Sequence, residues 1–280
     1  MFTRKQTCGA LCKAFPRARK EKKGRIDSMN IAVITGASSG MGRDFALQLD
    51  ASQSFDEIWL IARRAEKLEE LKKELKAPAR VLSLDLEKDE SLEAYASMLK
   101  ETKPDIHVLV NAAGFGRFTA FEKDDLSTQL SMARLNDLAL VGVTWLSLQY
   151  MHPGSCVYQL GSMSAWQPVP YMSIYAASKA FVLSFTRALN VELKGRGIRL
   201  MAVCPGWVRT EFFDRARHDD TVCYYNRWYE SKDVVKKALK DMKKGKDVSV
   251  LGFPERLQVL LVKLLPHRLV MKVWCRQQKH

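Results

Sequence analysis

Short apolar runs alternate with longer amphipathic stretches along most of the chain. The apolar runs occupy residues 30–36, 57–62, 80–85, 106–114, 155–162, 198–206 and 247–252. Between them, apolar positions recur at helical spacing over residues 41–50, 65–76, 89–101, 124–151 and 173–195. Continuous apolar runs that alternate with helices are typical of parallel strands buried on both faces of a sheet. The pattern therefore predicts an α/β fold, with a doubly wound parallel sheet flanked by helices.

One domain is predicted for residues 29–252, because no linker-like stretch and no repeat of fixed period interrupts the pattern. Residues 253–280 predict a C-terminal helical extension that mixes large apolar side chains with lysines and arginines. Two interpretations fit this extension. It could pack over the lid segment of about 207–230 or over a subunit partner, or it could lie on a membrane surface. We favour the packed helix.

Positive charge is concentrated at the N-terminus. The chain has a formal net charge of +14, and residues 1–28 hold nine basic and two acidic residues, a net of +7. This segment could be a disordered basic tail, a transit peptide or sequence translated upstream of a start at Met29. The run RARKEKKGR is too evenly charged for an amphipathic helix, which favours the tail or the upstream sequence. It lacks interleaved aromatic residues, so no nucleic-acid partner is predicted.

The cysteines and the hydropathy indicate the cellular compartment and bear on metal and membrane sites. Six cysteines are scattered along the chain, and none belongs to a CxxC pair. This usage predicts a reducing compartment and no structural zinc, so no metal site is expected. No run of 18 uncharged apolar residues is present, so no transmembrane helix is predicted. We therefore expect a cytoplasmic protein, with peripheral membrane contact as the less favoured alternative.

A glycine-rich turn, TGASSGMG at residues 35–42, follows the first predicted strand. Gly36 permits a tight turn, Gly40 lets the backbone approach a pyrophosphate, and Gly42 permits close packing of the next helix. The N-terminus of that helix offers free N–H groups to an anion. Because the turn lies between the first strand and the first helix of an α/β chain, it predicts a dinucleotide site.

A second motif, YAASK, places Tyr175 and Lys179 one helical turn apart on the same face. A free tyrosine has a pKa near 10, which is high for proton transfer at neutral pH. A neighbouring ammonium favours the phenolate and so lowers that pKa. The pair is a candidate acid–base centre, although the same spacing also occurs in helices that have no such role.

These motifs together resemble the short-chain dehydrogenase/reductase family, in particular its hydroxysteroid and 3-ketoacyl reductase branch. The resemblance runs from about Asn30 to about Lys246. Its elements are the TGxxxGxG turn at Thr35, Gly36, Gly40 and Gly42, the NAAG at 111–114, Asn136, Ser162, the YxxxK of Tyr175 and Lys179, and PGWVRT at 205–210. Ala112 departs mildly from the family's NNAG. The family implies a single-domain Rossmann fold.

The resemblance implies a nicotinamide cofactor. A site for NAD places a carboxylate about 20 residues beyond the glycine turn. Here Arg63 and Arg64 stand at the end of the second strand and could bind a 2′-phosphate, and Arg43 adds positive charge nearby. We therefore predict NADP(H). The implied contacts are Thr35, Gly36, Ser38, Ser39, Gly40, Met41, Gly42, Arg63, Arg64, Asp85, Leu86, Asn111, Ala112, Ala113, Gly114, Tyr175, Lys179, Pro205, Gly206, Val208 and Thr210.

The family also implies four catalytic residues. Tyr175 would exchange a proton with the reacting oxygen, and Lys179 would lower the tyrosine pKa and hold the nicotinamide ribose. Ser162 would hydrogen-bond the reacting oxygen, and Asn136 would position a water that links Lys179 to solvent.

Apolar and aromatic residues surround the implied reaction centre. The predicted substrate residues are Phe115, Ser162, Met163, Trp166, Tyr171, Trp207 and Phe212, and residues of about 207–230 resemble the family's mobile lid. Such a wall suits a bulky apolar carbonyl or alcohol. Steroids, bile acids, long acyl chains and aromatic ketones all fit, and we favour a hydroxysteroid. Four lid arginines could meet an acidic substrate tail, or they form a solvated face: Arg209, Arg215, Arg217 and Arg227.

The leading prediction is an NADP(H)-dependent oxidoreductase that acts on CH–OH groups. A 3-ketoacyl or simpler ketone reductase is the alternative within the same class. An NADPH-sensing regulator and a membrane-associated binding protein are the non-enzyme alternatives. Such regulators usually lose the tyrosine or the lysine, and both are present here. The family further suggests homodimers or homotetramers built on the helices at 124–151 and 173–195.

Overall fold

The computed structural model describes residues 28–280 and places a parallel sheet at its centre. Most of the basic segment that was predicted to be an extension lies outside the described residues. Numbered in chain order, the seven strands of the sheet are β1 (Asn30–Thr35), β2 (Glu57–Ala62), β3 (Ala79–Ser83), β4 (Asp105–Asn111), β5 (Cys156–Leu160), β6 (Arg199–Val203) and β9 (Val248–Ser249). Their order is β3-β2-β1-β4-β5-β6-β9, and all the pairs are parallel. A separate parallel pair is formed by β7 (Trp207–Arg209) and β8 (Trp228–Glu230).

Helices follow the strands as the sequence predicts. They are α1 (Gly40–Ser52), α2 (Ala65–Glu74), α3 (Asp89–Thr102), α4 (Leu126–Ala133), α5 (Leu140–Leu148), α6 (Ser173–Glu192), α7 (Phe212–Ala216), α8 (Ser231–Lys243), α9 (Phe253–Leu264) and α10 (His267–Gln277). A π-helical turn, Arg134–Ala139, joins α4 to α5, so the predicted helix over 124–151 is continuous but contains one wider turn. The prediction of a doubly wound parallel sheet is confirmed.

Both faces of the sheet are buried, as the uninterrupted apolar runs predict. Successive side chains of a strand point to opposite faces. In β1, Ala32 and Ile34 belong to the core beneath α1, α2 and α8, whereas Ile31 and Val33 belong to the core beneath α3 and α5. All four are fully buried. Burial of each large aliphatic side chain contributes roughly 1.5–3 kcal/mol, which makes the sheet a rigid support for the loops at its edge.

The topology brings the sequence motifs to one edge of the sheet. The chain first builds outward from β1 through β2 to β3, and then returns to place β4 on the other side of β1. In such sheets, ligands bind in the crevice at the carboxyl ends of the strands where the order reverses. The glycine turn follows β1, the NAAG segment follows β4, and the PG motif follows β6, so all three meet at this crevice.

The C-terminal helices pack across the segment 207–230, which we call the lid. Trp274 of α10 lies 6.5 Å from Trp207 between ring centroids, and its Nε1 donates to the Pro170 carbonyl at 3.0 Å. The side-chain oxygen of Gln278 accepts from the backbone N–H groups of Cys223 and Tyr224, each at 2.9 Å. The end of the chain therefore holds the lid in place. Across residues 28–280, every helix is too short or too polar to cross a membrane.

Candidate active site

The glycine turn leaves no room for side chains. Gly36 has φ 65°, and a Cβ there would lie 2.7 Å from the backbone of Ala112. A Cβ on Gly42 would lie 2.2 Å from the Gly36 carbonyl oxygen. The Thr35 hydroxyl accepts from the N–H groups of Ala112 and Ala113 at 3.1 Å each, which ties the turn to the segment after β4. The N-terminus of α1 therefore faces the crevice and fits the pyrophosphate of a dinucleotide.

Arg64 is held at the rim of this turn. Its guanidinium donates to the hydroxyls of Ser38 and Ser39 at 3.0 and 2.9 Å. It also donates to the Glu211 carboxylate of the lid at 2.7 Å, and Lys67 lies 3.3 Å from the other oxygen of that carboxylate. The hydrogen bond from Arg64 is the main cause that lowers the pKa of Glu211. Two cations thus converge on one carboxylate, and the two serine hydroxyls hold one of those cations in place. A pair of cations around one anionic group is also what a ribose phosphate needs.

The other two predicted arginines face different acids. Arg43 pairs with Glu74 of α2 at 2.6 Å, and Arg63 lies 3.6 Å from Glu87. Arg43 lines a pocket beside the glycine turn together with Ser38, Ser39 and Gly40, and the Glu74 carboxylate of the neighbouring helix balances its positive charge. Arg63 remains half exposed, and its carbonyl accepts from Ser83.

The remaining predicted cofactor residues fall into two groups. Asn111 is buried within the sheet, where its amide donates to Thr144 and Gln159 at 3.0 Å each. The Asp85 carboxylate accepts from the backbone of Glu87 at 3.3 Å, so it stabilises the turn after β3. Leu86 is buried. The others line the cleft described below: Met41, Ala112, Gly114, Pro205, Gly206, Val208 and Thr210.

Ser162, Tyr175 and Lys179 meet at the carboxyl end of β5. Ser162 lies close enough to the Tyr175 phenol to lower the pKa of that group. The Lys179 ammonium lies 5.7 Å from the centre of the tyrosine ring and donates to the Leu160 carbonyl at 2.8 Å. Ser162 caps the short helical turn that follows it by accepting from the Ser164 N–H at 3.1 Å. The turn after β5 therefore fixes Ser162, and α6 fixes both Tyr175 and Lys179.

Burial controls the protonation of this group. Burial raises the pKa of Tyr175 to about 12, and the hydrogen bond from Ser162 offsets only part of that rise. Burial likewise lowers the pKa of Lys179 to about 8. The sequence predicts that Lys179 lowers the pKa of Tyr175, whereas burial raises that pKa in this structure. Tyr175 carries its proton at neutral pH, which is the form that can protonate a carbonyl oxygen.

Asn136 lies in the π-helical turn and is almost fully buried. Its amide nitrogen donates to the Phe115 carbonyl at 2.9 Å and to the Ser178 hydroxyl at 3.1 Å, and its oxygen accepts from the Phe115 N–H at 3.0 Å. A Cβ on Gly114 would lie 2.8 Å from that oxygen and 3.7 Å from the Lys179 nitrogen. Asn136 thus ties the loop after β4 to the helix that carries the tyrosine. π-helical turns are frequent at functional sites.

Asp137 is a site residue that the sequence analysis missed. Burial raises its pKa to about 6, and its charge interacts with that of Lys179. In return, Asp137 counters part of the fall in the lysine pKa. Its position directly after Asn136 gave no signal, because only the π-helical turn brings it near the lysine.

Replacing Asp137 with Asn should change the pH dependence of reduction. Loss of the carboxylate lowers the pKa of Lys179 further, so the lysine deprotonates at lower pH. We expect the fall of kcat/KM at alkaline pH, which in the parent follows the lysine near pH 8, to begin at lower pH in Asp137→Asn. Asp125→Asn, at the start of α4, is the matched control and should keep the parent profile. An unchanged alkaline limb in Asp137→Asn would contradict this coupling.

The reaction centre lies in a cleft of about 430 Å³. Four predicted substrate residues line it: Ser162, Met163, Trp207 and Phe212. Three do not. Phe115 packs under the guanidinium of Arg215, which lies 3.4 Å from the ring centre. Trp166 faces Lys263 at 4.4 Å, and Tyr171 packs against His280 at 4.4 Å. Each of the three has been drawn to a partner outside the cleft.

The C-terminal helices supply much of the cleft wall, and the sequence analysis assigned no substrate residue to them. The wall residues from this extension are Glu255, Gln258, Val262, Leu265, Leu269, Val270, Val273, Trp274 and Gln277. Of the two interpretations of the C-terminal segment, the packing agrees with helices that cover the lid. The helical spacing of apolar residues was the available signal, but the spacing could not say which surface they cover.

The cleft contains little charge. Among residues 28–280, its charged lining residues are Lys179 and Glu255. None of the four lid arginines lines it. Arg209 pairs with Glu230 at 3.2 Å and Arg217 pairs with Asp220, which matches the interpretation of a solvated face. In the same part of the chain, no three His, Cys, Asp or Glu side chains are grouped as metal ligands.

A family comparison identifies the arrangement. The family model described as short chain dehydrogenase matches residues 30–221. The chain belongs to the short-chain dehydrogenase/reductase family. The chain is therefore an oxidoreductase of the kind that acts on alcohol and carbonyl groups, as predicted. The narrower hydroxysteroid branch is not distinguished by this match.

Curated relatives of this short-chain dehydrogenase/reductase include several reductases. Sulfoacetaldehyde reductase 2 of Chromohalobacter salexigens is 36% identical over 190 residues, which cover 65% of this chain and 74% of the relative. NADP-dependent 3-hydroxy acid dehydrogenase of Schizosaccharomyces pombe is 32% identical and covers 70% and 78%. Very-long-chain 3-oxoacyl-CoA reductase of Neurospora crassa is also 32% identical, and the match covers 64% of this chain and 56% of that relative.

Solved structures share the fold. A short-chain dehydrogenase from Sphingobium yanoikuyae in complex with NADPH has a TM-score of 0.72 at 29% identity, covering 83% of this chain and 92% of that chain. The bulky-bulky ketone specific alcohol dehydrogenase from Comamonas testosteroni has a TM-score of 0.67 at 26% identity, covering 82% and 90%. These neighbours are similar to this chain across its sheet and the surrounding helices.

Proposed function

We propose that this short-chain dehydrogenase/reductase uses NADPH to reduce a ketone on a bulky, neutral, apolar molecule, with a ketosteroid as the first candidate. The observation that carries the proposal is the position of Ser162 and Tyr175 in a cleft that is lined mainly by apolar side chains and holds little charge. An apolar cleft with a few convergent polar groups suits a large ligand with one reactive polar group.

The cofactor assignment rests on the residues around the glycine turn. The turn and the N-terminus of α1 fit the pyrophosphate, because any side chain at Gly36 or Gly42 would fill that space. Arg64, Ser38 and Ser39 would hold the 2′-phosphate that distinguishes NADP(H) from NAD(H). When bound, the nicotinamide supplies the hydride.

The protein's own residues would manage the oxygen and its proton. Ser162 would donate a hydrogen bond to the ketone oxygen and stabilise the charge that develops there. Tyr175, which is protonated at neutral pH, would then give its proton to that oxygen. Lys179 would hold the ribose and replace the proton on the phenol. Asn136 would keep the loop and helix aligned and position the water that links Lys179 to solvent, and the exclusion of bulk water by the lid would strengthen each hydrogen bond.

A 3-oxoacyl chain is the second candidate substrate. The Neurospora crassa relative is named for very-long-chain 3-oxoacyl-CoA, and the Comamonas testosteroni neighbour for bulky ketones. Both names describe large carbonyl compounds, which agrees with the size and apolar lining of this cleft. The Chromohalobacter salexigens relative is named for sulfoacetaldehyde, a small anion, and Lys179 is the one cation that lines this cleft within residues 28–280.

A substrate panel tests the proposal. NADPH oxidation would be followed by absorbance with keto-steroids, 3-ketoacyl thioesters, aromatic ketones and sulfoacetaldehyde. We expect the highest kcat/KM with a keto-steroid or another bulky neutral ketone, and little turnover of sulfoacetaldehyde. Faster turnover of the small anion than of every bulky ketone would contradict the proposed substrate class. Absence of turnover with all of them, together with tight NADPH binding, would favour a cofactor-binding regulator.

Neutralising Glu211 should strengthen NADPH binding. The carboxylate of the lid shares Arg64 and Lys67 with the proposed 2′-phosphate position, so it competes with that phosphate. Glu211→Gln removes the competing charge, and we expect NADPH to bind several-fold more tightly, with a smaller gain for NADH. Fluorescence titration of both cofactors measures this difference. Glu230→Gln, whose carboxylate pairs with Arg209, is the control and should change neither affinity; an equal gain for NADH and NADPH would contradict the competition.

The arrangement of the whole protein follows from the same proposal. Residues 29–252 would form the cofactor-binding catalytic domain, the lid and residues 253–280 would close over the substrate, and residues 1–28 would be a basic extension. Homodimers or homotetramers would form on the long helices, where Leu126, Leu130 and Phe181 are exposed. A cytoplasmic location would agree with the cysteine usage.

A further inference from the structure

We propose that the outer face of the C-terminal helices docks on an anionic lipid bilayer, with the cleft opening toward the lipid. We define this outer face by its large exposed apolar residues on α9, which are Phe253, Leu257, Leu260, Leu261 and Leu264. The proposal goes beyond the proposed reaction, because it concerns where the protein binds and does not depend on which ketone it reduces.

Helix α9 is apolar on two sides. Val259 and Val262 are buried against the rest of the protein. The outer side carries leucines at positions 257, 260, 261 and 264, which is the i, i+3, i+4, i+7 spacing of a continuous stripe. The exposed fractions are 43% for Leu257, 53% for Leu260, 46% for Leu261 and 73% for Leu264. Since the inner side already covers the cleft, the outer stripe is surplus to folding, and such a stripe marks an interaction surface.

The charge around this stripe selects the partner. Residues 253–280 contain six lysines and arginines and one acid, a net of +5. The acid, Glu255, is buried, whereas the six basic residues are exposed: Arg256, Lys263, Arg268, Lys272, Arg276 and Lys279. Within residues 28–280, none of the six forms an ion pair with a carboxylate. Exposed leucines beside basic residues that have no carboxylate partner are the composition of a helix that lies in an anionic membrane interface.

A second copy of the chain suits this face poorly. A two-fold contact would set the same face against itself and bring the two basic segments together. That arrangement opposes +5 to +5 without a carboxylate to separate them. An anionic bilayer instead satisfies both features at once, because it accepts leucine side chains and attracts the cations.

Three residues of the same C-terminal segment lie where the cleft meets solvent. Leu265, Leu269 and Val273 line the cleft and are nevertheless 41%, 46% and 47% exposed. They stand at its entrance, adjacent in the chain to the outer stripe. An apolar compound dissolved in the bilayer would therefore reach Ser162 and Tyr175 along apolar surface. Docking would be peripheral, since no helix in residues 28–280 is suited to span a membrane.

Vesicle binding by the full chain tests the apolar part of the proposal. Sedimentation would use vesicles of equal parts phosphatidylglycerol and phosphatidylcholine, and pure phosphatidylcholine for comparison. We expect the parent protein to bind the anionic vesicles. The triple variant Leu260→Ser/Leu261→Ser/Leu264→Ser should have a partition coefficient that is lower by roughly tenfold or more. These changes leave the net charge and residues 1–28 intact. Val191→Ser, an exposed apolar residue on α6, is the matched control and should bind like the parent.

A charge-reversal pair tests the electrostatic part. Arg268→Glu/Lys272→Glu should weaken binding to the anionic vesicles by roughly tenfold or more, whereas Lys240→Glu on α8 should have a much smaller effect. Equal binding of the parent and the triple serine variant would overturn the proposal, as would failure of the parent to bind. A triple variant that changes oligomeric mass in sedimentation velocity, with unchanged vesicle binding, would assign the face to a second copy and also overturn it. None of these measurements requires turnover, so their failure is separate from failure of the proposed reaction.

Discussion

Replacing Tyr175 by phenylalanine is expected to lower kcat for reduction of a bulky ketone by roughly 10²–10⁴-fold, the usual contribution of a positioned general acid. The variant loses one oxygen atom and keeps the ring that packs against Phe118 and Phe212. Fold stability and NADPH affinity should therefore change little. Steady-state kinetics together with cofactor titration separate these effects, since the loss should fall on kcat while the cofactor dissociation constant stays near that of the parent.

Tyr171→Phe provides the matched control for this prediction. Tyr171 precedes the start of α6, does not line the cleft, and packs its ring against His280. Its hydroxyl should therefore contribute nothing to turnover, and the variant should reduce the same ketone at the parent rate. If Tyr175→Phe retained parental turnover, the proton would come from another group and the proposed role of the Tyr175–Ser162 pair would fail.

The architecture was accessible from the sequence because it depends on periodicity. Buried parallel strands require uninterrupted apolar runs, and the runs around Ile34 and Val110 met that requirement without ambiguity. Parallel strand order then places the segments after those strands at one edge, so the meeting of the glycine turn with the NAAG segment followed from the fold class. The closing strand β9 is only two residues long, because there the chain pairs briefly with β6 before it enters α9.

Protonation was not accessible, because it depends on burial. The helix sets the spacing of Tyr175 and Lys179, but the local sequence does not predict that the lid and the edge of the sheet at β5 enclose both side chains. Once Tyr175 is enclosed, loss of solvation outweighs the hydrogen bond with Ser162, and the pKa of the phenol rises to about 12 instead of falling. A bound dinucleotide changes the surroundings of both groups, so the Asp137→Asn pH profile measures their coupling in the working enzyme.

Long-range pairs explain the remaining differences. Local sequence identified three arginines near the crevice, but their directions are decided by acids far along the chain. Glu74 forms an ion pair with Arg43, and Glu87 lies near Arg63. Arg64 instead hydrogen-bonds the serines of the turn. In the same way, the cleft wall contains residues of the C-terminal helices and not the predicted Trp166 and Tyr171. Local sequence could not predict this, because only folding brings residues 253–280 over the lid.

Replacing Arg64 by alanine is expected to weaken NADPH binding by roughly 10²-fold, because each hydrogen bond from a charged donor contributes about 1.5–3 kcal/mol. NADH lacks the 2′-phosphate, so its affinity should change far less. Arg64 also balances the Glu211 carboxylate at 2.7 Å, and its removal leaves that negative charge facing the proposed phosphate position. The double variant Arg64→Ala/Glu211→Gln should therefore recover part of the lost NADPH affinity without changing that of NADH.

Comparison with the other arginines makes this result specific. Arg43→Ala breaks an ion pair with Glu74 beside the glycine turn. Because Glu74 already balances the charge of Arg43, this variant should leave the ratio of NADPH to NADH affinity close to that of the parent. Arg63→Ala should have an intermediate effect, since its side chain is half exposed and close to Glu87. Fluorescence titration of the three variants with both cofactors gives six dissociation constants. Equal losses for NADPH and NADH in Arg64→Ala would mean that this arginine only supports the turn. That result would contradict the assignment of NADP(H), because no residue would then bind the 2′-phosphate.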